Sequence, residues 1–229
     1  LELFICLIIP LVLRFIQKHK FDIKNKKERA YFWGLLPLAL LIVMPVYLPQ
    51  SILGFTEIYM KPLTIPNFAW IIFNLIIIVI IYFAFRFKSY ECRYSVLVFL
   101  ALLVFLHYNS IYMMDLLASR LPFQLCNLGA YLVLIALLIK KQGFFDFVLL
   151  ANVPGATIAL VAVDVEGGLL SFWNIHYYIE HTWIFVIPVL AVALRIFKRP
   201  GKNSIKHLLI GYTIYFIVCS VSGIILNSF

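Results

Sequence analysis

Residues 66–85 read PNFAWIIFNLIIIVIIYFAF, twenty consecutive positions without one charged side chain. In a helix, about 20 apolar residues reach across a hydrocarbon core of about 30 Å, and a soluble core rarely surrounds such a segment on every side. Comparable stretches fall at about 1–16, 30–48, 94–118, 122–139, 144–163, 176–193 and 207–226. The sequence therefore predicts an all-α, polytopic transmembrane helix bundle of about eight spans, with residues 1–229 as a single transmembrane domain. Strands are excluded because those of a membrane barrel are about ten residues long and alternate polar with apolar positions. Composition agrees, with 64% hydrophobic and 13% charged residues. The first stretch is short and starts at Leu1, as expected of a cut helix, and the last closes on Asn227-Ser228-Phe229 without a tail.

The net charge of +9 invites a nucleic-acid reading, but the Lys and Arg sit in short runs between apolar stretches rather than along one face. Loops of a multi-pass chain alternate sides, so only every second loop should be basic. The alternation holds, and of nineteen Lys and Arg only Lys61 and Arg120 fall on the other side. The expected location is a cell membrane, with the basic loops cytoplasmic and residue 1 outside; the expected partners are membrane lipids, not nucleic acid. Four cysteines, Cys6, Cys92, Cys126 and Cys219, form no C-x-x-C pair and read as thiols. No glycine-rich phosphate loop, G-x-S-x-G or H-E-x-x-H occurs, so no cofactor is expected.

The remaining polar residues gather at the outward ends of the fourth to seventh stretches. Asp115 and Arg120 flank one hinge; Gln124, Cys126 and Asn127 open the fifth stretch; Asp164 and Glu166 follow the sixth; His176, Glu180 and His181 open the seventh; and His107 and Asn109 lie deeper in the fourth. Ionisable groups inside a membrane cost free energy and usually face a bundle interior, which makes such a cluster a candidate site. Blander roles compete: Asp164 and Glu166 on a solvated loop, Arg120 snorkelling to the interface, His176 as an interfacial ring, His107 bonding one helix to another. Cys126 and His181 make the sharper pair, because a histidine can take the proton of a thiol and a thiolate can form and resolve an acyl thioester. The amides of Gln124 and Asn127 beside Cys126, at a helix N-terminus, suit an oxyanion. His176 and Glu180 share a helix face at i,i+4, but His181 lies about 140° around from His176, which disfavours a metal site.

Leu121-Pro-Phe-Gln-Leu-Cys126-Asn127, Gly155-Ala156-Thr-Ile-Ala159-Leu160-Val-Ala-Val-Asp164 and His176-Tyr177-Tyr178-Ile-Glu180-His181 resemble, in order and spacing, three motifs of the YwaF-like membrane protein family. They cover about residues 120–200. The resemblance implies a multi-helix membrane protein, and the animal relatives of that family are phospholipid acyltransferases thought to use a cysteine and a histidine. Those roles would fall on Cys126 and His181, with Gln124, Asn127, Arg120, Asp164, His176 and Glu180 in support. Gln124 stands where the motif has a histidine, and Val163 where it has a proline. The leading expectation is a lipid acyltransferase forming an acyl-cysteine at the outer side; the alternatives are a transporter or channel with a polar outer cavity, and a non-catalytic membrane subunit.

Overall fold

The computed structural model describes residues 23, 25–43, 61–114, 124–163, 165 and 171–226. They form eight helices: α1 (Lys26–Trp33), α2 (Leu36–Val43), α3 (Ile65–Phe85), α4 (Tyr90–Met114), α5 (Leu125–Ile139), α6 (Gln142–Val161), α7 (Phe172–Ala193) and α8 (Ser204–Leu226). The all-helical, polytopic expectation holds. Five of these helices, α3, α4, α6, α7 and α8, contain segments long and apolar enough to cross a membrane, and α5 is a shorter apolar helix within the expected fifth span. The expected first span, 1–16, lies outside the described residues.

Helix boundaries follow local chemistry. The expected second span is broken into α1 and α2 at Gly34-Leu35, where the Gly34 N–H closes on the Ala30 carbonyl and that of Leu35 on Phe32. α3 begins after Thr64 with Pro66 in its first turn, a position that needs no N–H partner. α7 starts four residues before the expected His176, because Ser171 caps it by accepting the Asn174 N–H at 3.3 Å.

The bundle is built around α4 and α7, whose spanning segments are 72% buried, whereas α3 and α8 are the lipid-facing periphery at 17% and 6%. α3 shows the inversion a lipid solvent demands. Ile72, Phe73, Ile76, Val79, Ile80 and Phe83 are exposed, while Asn67 and Asn74, two turns apart on one face, are buried. Both amides bond inward: Asn74 Nδ2 donates to Thr182 Oγ1 at 2.5 Å, and Asn67 donates to the Val161 carbonyl and accepts from the Tyr178 hydroxyl at 2.8 Å. Trp70 stacks on Tyr178 at 5.0 Å. Polar contacts, with little apolar burial, thus fasten α3 to α7.

The opposite, basic face is also tied by polar contacts. Glu28 of α1 accepts the Ser89 N–H at 2.8 Å and the Ser89 hydroxyl at 2.5 Å just ahead of α4. Arg93 donates to the Leu194 carbonyl at the end of α7. These contacts fix the helix ends that carry the candidate site at their other extremity.

Candidate functional site

Three helices present the candidate residues. α5 begins at Leu125 with Gln124 as its N-cap, extended in backbone, exposed and without a capping bond from its side chain, so Gln124 stands just outside the helix rather than in its first turn. Cys126 and Asn127 follow, half-buried, in that first turn. Cys126 is a free thiol, as are Cys92 and Cys219. α7, which packs against α5, contributes His176, Glu180 and His181, and α4 contributes His107. Arg120 and Asp164, with Asp115 and Glu166, lie outside the described residues.

The α7 residues divide into two arrangements. His181 is buried, and its Nδ1 lies 2.8 Å from the Tyr177 carbonyl one turn back. A carbonyl only accepts, so Nδ1 carries the proton and the neutral ring's basic lone pair is at Nε2. The Tyr177 ring packs on the imidazole at 4.2 Å, and its hydroxyl is anchored on the Ala159 carbonyl of α6 at 2.7 Å. His181 is therefore held in one orientation, with Nε2 as the atom that can accept a proton.

The second arrangement is a relay. His107 Nε2 lies 3.1 Å from His176 Nδ1, and His176 Nε2 lies 3.5 Å from Glu180 Oε2. The His176–Glu180 step is the i,i+4 pair visible in the sequence; the His107 step joins α4 to α7, as an interhelical role for that residue anticipates. The donor in the His107–His176 hydrogen bond depends on the two tautomers, and the His176–Glu180 step is a longer contact between ring nitrogen and carboxyl oxygen. Glu180 is buried, and its second oxygen, Oε1, has no hydrogen-bond partner among the described residues. Two residues beyond His107 in α4, Asn109 accepts the Tyr131 hydroxyl of α5 at 2.9 Å.

α5 and α7 pack against each other, and no hydrogen bond joins Cys126 to His181 among the described residues. One contributor escaped the sequence reading. Asn152 of α6 is buried with neither side-chain amide atom bonded among the described residues, and its amide faces Gly129, where an added Cβ would sit 3.3 Å from it. Gly129 is one turn beyond Cys126 on α5, so the Asn152 amide lies against the turn that follows the thiol's own. Only the apolar context of Asn152 in LLANVPGA hints at it. Among the described residues no group of three or more His, Cys, Asp or Glu has metal-binding geometry.

Comparison with known proteins supplies a family. The model described as the TMEM164 family, a family of membrane proteins, matches residues 59–228, about three quarters of the chain and all of α3 to α8. No curated protein and no solved structure matches.

Proposed function

Because the chain belongs to the TMEM164 family of membrane proteins, we propose that its outer polar cluster is the active site of a phospholipid acyltransferase, with Cys126 as acyl carrier and His181 as proton carrier. The carrying observation is the fixed tautomer of His181, whose Nδ1–H···O=C bond to Tyr177 leaves Nε2 as the accepting atom. Cys126 is half-buried in the first turn of the adjoining helix. A glycerolipid ester lies near the membrane interface, at the depth of an α5 first turn.

In the forward half-reaction His181 Nε2 takes the Cys126 thiol proton and the sulfur attacks the ester carbonyl. The C–O bond breaks, and the departing glycerol oxygen takes the proton back from His181, leaving a lysophospholipid and an acyl-cysteine. In the second half, His181 takes the proton of an acceptor hydroxyl as its oxygen attacks the thioester, then returns it to the Cys126 sulfur. The amides of Asn127 and Asn152 supply N–H donors for the oxyanion of each step, and Gln124, Arg120, Asp164, His176 and Glu180 belong to substrate binding and support. No cofactor enters either half.

The test is direct. Purified protein incubated with phospholipid should carry a hydroxylamine-labile acyl adduct on Cys126 by mass spectrometry, absent in Cys126→Ala. His181→Gln should lower lysolipid acylation by roughly 100-fold or more, the ordinary yield of general acid–base catalysis. Undiminished acyl transfer by Cys126→Ala would end this reading. The buried His107–His176–Glu180 relay supports a second one, a proton-linked transporter using that relay as its proton path. Proton-coupled flux in vesicles that is abolished by His176→Ala and untouched by Cys126→Ala would favour it.

A further inference from the structure

At the basic face, opposite the cluster just described, a cavity of about 1020 Å³ opens between the ends of α3, α4, α5 and α7. Its mouth carries Lys140, Arg195, Lys198 and Arg199, all exposed, and none of its lining residues is acidic. Its inner wall is apolar, reaching Leu149 on α6 and Val189 on α7. Those residues lie about two turns from the mouth, roughly 10 Å into the membrane at 1.5 Å per residue.

The mouth is built rather than incidental. Gln142, the first residue of α6, clamps the backbone of Lys198 with both ends of its amide: Nε2 donates to the Lys198 carbonyl, and Oε1 accepts the Lys198 N–H, each at 3.1 Å. The same Nε2 donates to Asp146 at 2.7 Å. Phe197 is stacked flat on Phe145 at 3.9 Å, which pins the segment between α7 and α8 to the bundle. Lys140 and Arg195 both hold left-handed backbone, at φ 55° and 59°, at the ends of α5 and α7. Glycine adopts that conformation at lower cost and is the usual residue there. Two cations occupy strained helix ends, and both face one cavity. The Lys140 ammonium rests 3.8 Å from the centre of the Tyr94 ring, with no carboxylate partner among the described residues. Basic loops that merely orient a chain need neither a fixed backbone nor a concave, lipid-deep apolar wall.

We propose that this cavity binds an anionic phospholipid, its phosphate held by Lys140, Lys198, Arg195 and Arg199 and one acyl chain lying against Leu149 and Val189. The apolar wall selects a lipid over a free phosphate ion, and the absence of acidic lining selects an anionic headgroup over a zwitterionic one. The site is independent of the acyl-transfer reading, since it uses none of the same residues and lies at the other end of the helices.

Native mass spectrometry of the purified full chain, with phosphatidylglycerol and phosphatidylcholine of equal chain length in competition, tests this. Phosphatidylglycerol should be retained about tenfold better, and that preference should weaken as salt is raised. The variant Lys140→Gln/Lys198→Gln/Arg199→Gln should lose the preference, whereas Lys26→Gln/Lys27→Gln/Lys202→Gln, with equal charge removed outside the cavity, should keep it. Arg199→Gln alone should reduce the preference and Arg199→Lys restore most of it, which separates charge from folding. Equal retention of the two lipids, equal loss in both triple variants, or displacement by inorganic phosphate as effective as by phosphatidylglycerol would each overturn the proposal.

Discussion

Two carboxyl groups are buried in this bundle in opposite ways. Asp146, near the start of α6 on the basic face, is saturated: Gln142 Nε2 and the Ser204 hydroxyl donate to it at 2.7 Å each, and His207 Nδ1 lies 2.9 Å from the same Oδ2 that Ser204 reaches. Glu180, in the third turn of α7 toward the other face, has one oxygen 3.5 Å from His176 and the other with no partner among the described residues. Both are buried, yet only Asp146 has its desolvation offset by bonds. A saturated carboxylate that joins α6 to α8 is a fastening. An under-bonded one at the end of a histidine pair is, on the proposed reading, the carboxyl available to a ligand or a proton.

The contrast predicts opposite responses to deletion, and the largest effect belongs to Asp146. Asp146→Ala leaves the Gln142 amide, the Ser204 hydroxyl and the His207 ring without their shared acceptor, so it should cost about 2–3 kcal/mol. The ordering of the segment at Lys198 should loosen with it. Thermal unfolding in detergent should show the drop, and hydrogen exchange should quicken between residues 194 and 208. A melting temperature unchanged from wild type would mean that Asp146 fastens nothing and would dissolve the comparison from one side.

Glu180 tests the other side with a smaller change in stability. Glu180→Gln keeps the shape and removes a carboxyl that the fold leaves half unbonded, so stability should move by less than about 1 kcal/mol, in either direction. Acyl transfer should fall all the same, through the supporting role assigned to this residue. If Glu180→Gln destabilised the protein as much as Asp146→Ala, the two carboxyls would be alike and Glu180 merely structural.

The sequence makes only one of this pair visible. Glu180 attracts notice because His176 is four residues away, and helical period alone puts the two side chains on one face. Asp146 sits alone ahead of FVLLANV, and its partners Ser204 and His207 lie about 60 residues on, in a different helix. No local pattern encodes that meeting. The same division runs through the fold. Apolar length announced the long helices α3, α4, α6, α7 and α8, because a membrane-crossing helix must be apolar along its whole extent. The break at Gly34-Leu35 and the inward face of Asn67 and Asn74 depend on neighbours, as does the approach of Asn152 to Gly129. At the candidate site, residue types and order pointed to Cys126, His181, His176 and Glu180. The tautomer of His181, set by Tyr177, and the link from His107 to His176 required the packed helices.

A third carboxyl sharpens the comparison with the smallest effect. Glu28, at the basic face in α1 and outside the spanning segments, resembles Asp146 in being fully bonded, but a single residue, Ser89, supplies both donors. The Ser89 hydroxyl, and after it the Ser89 N–H, hold the Glu28 carboxyl below its ordinary value, with burial opposing and Lys88 assisting. A folded-state value below the unfolded one means stability that is fully present above about pH 4.5, the ordinary range of a glutamate, and is lost as pH falls through the folded-state value. Wild-type protein and Glu28→Gln should therefore differ near neutrality by about 1 kcal/mol, and their melting temperatures should converge as the pH is lowered past that range. Ser89→Ala should flatten the same pH dependence, because without its hydroxyl the larger of the two stabilising bonds to the charged form is gone. Parallel curves for wild type and Glu28→Gln down to pH 3 would show that these bonds do not distinguish the charged carboxyl. A fully bonded carboxyl would then be no guide to a fastening, and the reading of Asp146 would rest on its deletion alone.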